Sequence, residues 1–220
     1  MLMDGSQPVT ISTRYVEKFL NADTSSTIYS SVFKIAGHTF YVLTLVSSNV
    51  TLVFDVNEHI WYKWTTYNGS SENYFAPTCI TEFNGGYYAI DATSGLIYSL
   101  STSTYADNSN HIYYRIVTDL FDSGSIKRKF YRSLAVVGDK VSATATVSHT
   151  GDDYASWSTG RSVDLSTSKS EIFQLGADRR RAWQLLVTDD VALRLDALEI
   201  EFDIGGMEEQ QGAGRQAARR

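Results

Sequence analysis

The chain has 220 residues, with 25 acidic and 19 basic side chains. Its net charge of −6 excludes coating nucleic acid by bulk charge. Apolar residues make up 43% and aromatics 13%, enough for a sizeable core and biased toward strands. The single cysteine, Cys79, leaves no intrachain disulfide and fits a reducing compartment; no apolar run reaches the roughly 20 residues of a membrane-spanning helix.

The opening "MLMDGSQPVT" lacks the basic-then-apolar order of a signal peptide and is expected to be an extended arm. "ISTRYVEKFLN" predicts a short helix over 12–20, capped by Ser12 or Thr13 and stopped at Asn21. Val16, Phe19 and Leu20 share its apolar face. Residues 1–24 therefore form an N-terminal arm and helix.

From Thr27 the hydrophobic period changes to two. "TIYSSVFKIAGHTFYVLTL" predicts two strands around a turn at Ala36-Gly37-His38. Val50–Val56 and Ile60–Thr65 follow, joined at Asn57-Glu58. After the loop "TYNGSSENYFAPT", strands are expected at Cys79–Phe83, Gly86–Asp91 and Leu96–Leu100. "LVFDVNEHIWYKW" and "YYAIDATSGLIYSL" share one plan: an apolar strand ends in Asp55 or Asp91, turn residues intervene, and an aromatic strand leaves. A period near 40 residues with four short strands is that of propeller blades. Asp55 and Asp91 are then turn acceptors, and Trp61 and Trp64 are packing residues. Two such units, spanning 25–115, cannot close a propeller, whose rings need about four blades or more. The deficit implies open edges or faces that a partner covers.

Past "YADNSN", alternating strands separated by Asp122-Ser123-Gly124, Gly138-Asp139, Gly176–Asp178 and Asp189-Asp190 predict a β-sandwich-like module of about seven strands over 116–205. Residues 206–220 read as a polar, flexible tail. The expected fold class is all-β: incomplete propeller-like blades, then a sandwich-like module, with one short N-terminal helix.

Chemistry is sparse. His38, His59, His111 and His149 lack metal-ligand spacing, so no metal and no cofactor is expected. Asp152-Asp153 and Asp189-Asp190 read as turn caps. "SHTGDDYASW" places Ser148, an acidic-glycine turn and Trp157 in the order of the sialidase Asp box, but with stretched spacing and Gly151 ahead of the acids. Even in sialidases that box is structural. Basic residues cluster at Lys127-Arg128-Lys129, Arg132 and Arg179-Arg180-Arg181. Strand alternation should scatter each cluster over two faces, leaving surface charge or contacts to a partner or to phosphates.

Taken in order, these stretches resemble the tail-nozzle, or packaged-DNA stabilisation, proteins of short-tailed bacteriophages over residues 8–206. The matching positions are Ile11, Ser12, Thr13, Val16 and Glu17; Gly37, His38, Phe40 and Tyr41; Phe54, Asp55 and Trp61; Asp153 and Trp157; and Leu175, Gly176, Arg179 and Arg180. Members of that family are usually much longer, and the match falls on their C-terminal part. The resemblance implies a non-enzymatic virion protein forming a six-fold ring below portal and adaptor proteins. Such a ring, in contact with other tail proteins such as fibres or spikes, retains packaged DNA and gives it an exit channel without reading its sequence. The implied locations are the virion tail and, during assembly, the host cytoplasm. Arg179, Arg180 and Arg181 are candidates for one side of the subunit interface. The competing expectations are a carbohydrate-binding or glycan-hydrolysing tail component, which the aromatic loop Tyr67–Thr78 would permit, and a cellular propeller-type interaction module.

Overall fold

The computed structural model describes residues 2–4, 7–68, 70–91 and 93–205. The expected tail at 206–220 lies outside them. The chain divides into two compact units, Met1–Tyr113 and Tyr114–Arg220. Both are built of antiparallel strands, and α1 (Arg14–Ala22) is the only helix among the described residues. The fold is all-β with one short N-terminal helix.

The first unit opens with β1 (Leu2–Asp4) paired to β2 (Gln7–Val9), followed by α1. Thr13 is the N-cap, and its hydroxyl accepts from the Val16 amide; Ser12 instead donates to Glu17. The helix starts and stops two residues later than the sequence suggested, because Asp23 supplies the stop. Its backbone amide donates to the Phe19 carbonyl, and its carboxylate accepts from the amides of Ser25 and Ser48. The Ser48 bond fastens the helix end to the sheet. Val16 and Phe19 face that sheet, while Leu20 is largely exposed.

β3 (Ile28–Ile35), β4 (His38–Leu45), β5 (Val50–Asp55), β6 (Ile60–Tyr67) and β7 (Glu72–Tyr74) form a five-stranded meander in sequence order. The β3–β4 turn has positive φ at both Ala36 (51°) and Gly37 (87°), the two-residue geometry that matches strand twist. Every residue of β5 is buried. Val50 and Leu52 pack under α1 with Leu43, Leu45 and Val16, whereas Val53 points to the other face with Val42, Phe33 and Trp64. A strand covered on both faces loses its polar alternation. Each large side chain so buried contributes about 1.5–3 kcal/mol. The buried Thr44 and Thr51 hydroxyls satisfy each other at 2.9 Å.

β8 (Cys79–Phe83), β9 (Gly86–Ile90) and β10 (Ile97–Leu100) form a three-stranded meander, and a small hairpin of β11 (Ala106–Asp107) and β12 (Asn110–His111) follows. Ile80, Ala89, Tyr98 and Leu100 close the second core against Val42 and Val53 of the larger sheet. The two repeats are thus meanders packed face to face, of five and three strands rather than four each.

The second unit is a two-sheet sandwich of eight strands. One sheet has β13 (Tyr114–Val117), β19 (Ala182–Val187), β15 (Thr144–Thr150) and β16 (Arg161–Asp164) in that spatial order. The other centres on β14 (Lys129–Gly138), flanked on one side by β20 (Leu195–Ile204) and on the other by β17 (Ser170–Phe173) and β18 (Ala177–Asp178). Leu134, Val136, Val147, Val163, Ile172, Trp183, Leu185 and partly buried Ile200 and Phe202 fill the space between the sheets. One expectation changes here, and one strand is added. "RSVD" is a strand, and the Gly176–Asp178 turn contains a short one, because Ala177 and Asp178 pair with Phe130 and Lys129.

Candidate functional site

In the first unit, the matched residues converge on the β5–β6 hairpin. Asp55 is only 2% exposed. One carboxylate oxygen accepts from the amides of Asn57 (2.8 Å) and Glu58 (3.2 Å), and the other meets His38 Nδ1 at 2.7 Å. Burial raises the Asp55 carboxyl, but these hydrogen bonds and the His38 ring together hold it below the usual aspartate value. His38 stacks on Phe40, and Trp61 packs on Phe54. The Trp61 indole N–H donates to the Ile11 carbonyl at 2.7 Å and ties the arm ahead of α1 to the sheet. Asp91 repeats the plan. Burial raises its carboxyl, while the Ser94 hydroxyl and the Thr93 amide outweigh it and hold the carboxyl low. Gly37, His38, Asp55, Trp61 and Asp91 are therefore joints of the fold, with Ser12 at its helix entry.

The far face of the smaller sheet is apolar and open. In register across β8, β9 and β10 lie Cys79, Ile90 and Ile97, then Thr81, Tyr88 and Ser99, with Phe83 beside Gly86. Phe83 is 71% exposed and Ile97 is 67% exposed. The larger sheet has one face on the smaller sheet and the other partly under α1, where Ile28 and Val32 of β3 stay exposed, whereas the outer face of the smaller sheet is covered by no described element.

In the second unit, the turn after β15 is organised by Asp152 rather than Asp153. The hydroxyls of Ser156 and Thr150 and the Ser156 amide all donate to Asp152, lowering its carboxyl to about 2. Asp153 instead pairs with Arg180, and half-buried Trp157 lies against Tyr154. Trp183, absent from the expected set, is the core tryptophan. Its position in a run with Leu185 and Val187 at period two was the signal available in the sequence.

The basic clusters correct a second expectation. Alternation was to disperse them, but the pairing of Lys129 with Asp178 brings 126–129 and 177–181 side by side. Arg181 is 1% exposed and cannot serve an intersubunit contact. Its guanidinium donates to Asp178 (2.8 Å from Nε) and to the Leu175 carbonyl (2.7 Å), and it lies 4.2 Å from the Tyr131 ring centroid. Gly176 adjoins it and accepts from the Tyr131 amide at 2.9 Å. Lys129 is fully buried, and its ammonium donates to the carbonyls of Ser125 (2.6 Å), Arg179 (2.7 Å) and Lys127 (3.2 Å). Lys127, Arg128, Asp178, Arg179 and Gly151 line a polar pocket of about 450 Å³. Arg179 and Arg180 remain exposed.

His149 contacts the Ser158 hydroxyl at 3.0 Å and packs on Trp183. The Ser158 hydroxyl also accepts from the His149 backbone amide, so this pair closes a strand end. Burial first, and the Arg181 charge second, push the His149 imidazole below its usual value against a smaller opposing pull from Asp178. His59 sits at a turn with φ of 59°. The aromatic loop is turned inward: Phe75 packs on Trp64 and Tyr67 on Tyr113.

No protein-family model matches this sequence, and no curated protein matches it. A solved structure described as a glycoside hydrolase is similar over 78% of this chain, at 10% identity and a TM-score of 0.23. This chain covers 59% of that structure. Similarity at that level carries no argument about activity.

Proposed function

We propose that this protein is a non-enzymatic structural component of a bacteriophage tail, belonging to the nozzle that retains packaged DNA and forms its exit conduit. The observation that carries the reading is the apolar outer face of the smaller sheet, where Phe83, Tyr88, Ile90 and Ile97 lie exposed side by side. A stack built this way is completed by another sheet, and the ordered resemblance to a ring-forming family makes a second copy of this chain the occupant. The matched residues support the same reading, because Asp55, Trp61, Gly176 and their neighbours brace joints of the scaffold. Portal and adaptor proteins, other tail proteins and passing double-stranded DNA are the remaining partners, in the virion tail and in the host cytoplasm during assembly.

Negatively stained images of the purified protein, alone and with an adaptor partner, test the proposal. Six-fold rings are expected, together with no quenching of tryptophan fluorescence by tail-receptor glycans. Saturable glycan quenching without rings would favour the carbohydrate-binding alternative and overturn this one.

A further inference from the structure

We propose that the pocket between residues 126–128 and 177–179 binds a phosphate group, as inorganic phosphate or a phosphomonoester. Nothing in this inference depends on the tail-conduit reading.

The pocket has cationic walls and a cationic support. Arg128 spends one hydrogen bond on the Ala177 carbonyl (3.2 Å), leaving most of its five N–H donors available, and it has no carboxylate partner among the described residues. The Arg179 side chain likewise forms no ion pair among them, although acids outnumber bases in the chain by 25 to 19. Lys127 completes the basic lining. The buried Lys129 ammonium sits among the carbonyls of both walls, with no carboxylate paired to it among the described residues.

One acid lines the pocket, Asp178, and it is already paired with Arg181. The balance of the lining is therefore positive. A Cβ on Gly151 would come within 2.9 Å of the Asp178 carboxyl carbon, so glycine there lets the carboxylate stay withdrawn against the backbone beside its arginine.

Two guanidinium groups approaching from opposite walls can each engage two oxygens of a tetrahedral dianion, a match that a planar carboxylate gives to only one of them. A space of about 450 Å³ admits a whole phosphate with the first part of its ester. An extended polyanion would need a track of cations, and an acidic chain offers little beyond the pocket.

Equilibrium dialysis of radiolabelled inorganic phosphate against the full chain, at ionic strength fixed with sodium chloride, tests this directly. One saturable site per chain is expected, displaced by a nucleoside monophosphate but not by a duplex lacking terminal phosphates. Arg179→Gln, at an exposed side chain with no hydrogen bond or ion pair among the described residues, should weaken binding at least about tenfold while the unfolding midpoint without phosphate stays unchanged. Arg128→Gln combined with it should abolish binding. No bound phosphate above the chloride control would overturn the site, as would equal binding by the variants or displacement by the duplex lacking terminal phosphates.

Discussion

Arg181 shows how a side chain that looks like surface charge can belong to the core. Its guanidinium is stacked over Tyr131, hydrogen-bonded to the Leu175 carbonyl and paired with Asp178. Arg181→Met should destabilise the second unit by about 2–3 kcal/mol, because it leaves the Leu175 carbonyl without its donor and takes the cation from Asp178, which solvent reaches only in part. Chemical denaturation checks this, and a loss under about 1 kcal/mol would mean that solvent replaces the arginine. His149 gives the corresponding pH dependence. Its folded value lies below the unfolded one of about 6.5, so the unfolded chain takes up the proton first. The stability it contributes is complete above that pH and is lost as the pH falls through the folded value. Melting temperatures measured from pH 7 to pH 5 should fall more steeply for the wild type than for His149→Gln. Parallel curves would show that His149 titrates normally.

At the scale of elements, the β5–β6 hairpin acts through its fastening to the arm ahead of α1. Trp61→Phe keeps the ring packing on Phe54 but removes the indole hydrogen bond to Ile11, at a cost of about 1 kcal/mol. Limited trypsin digestion should then cut at Arg14 faster than in the wild type. An unchanged rate would mean that Val16 and Phe19 alone hold the arm. The hairpins were legible because Asp55 and Asp91 end apolar strands and precede turn residues, a local signal. The helix start was legible from Ser12-Thr13, but its end was set by Asp23 bonding to Ser48, a contact that no local pattern contains. "RSVD" carries little strand signal, because one apolar residue, Val163, supplies its buried side. The basic pocket was hidden for the same physical reason. Strand alternation acts within each cluster, whereas the pocket arises from the register between β14 and β18, which pairs positions distant in sequence.

For the whole molecule, the proposed assembly requires the open face of β8, β9 and β10 to be a contact between copies. An exposed set of Phe, Tyr and two Ile side chains on a regular sheet is a partner surface or an aggregation liability. A stable cyclic assembly needs interfaces of roughly 1,000 Å² or more, so contacts beyond this face must contribute to a ring. Exposed Arg179 and Arg180 remain open to that role. The most direct measurement is sedimentation velocity on the wild type beside Phe83→Ser combined with Ile97→Lys, two changes on the uncovered face that leave the core between the sheets intact. The expected result is a discrete wild-type oligomer, a hexamer in its full form, and a variant that sediments as a monomer with unchanged β-rich circular dichroism. A compact wild-type monomer at high concentration with an adaptor partner present, or a variant that assembles as well as the wild type, would contradict it.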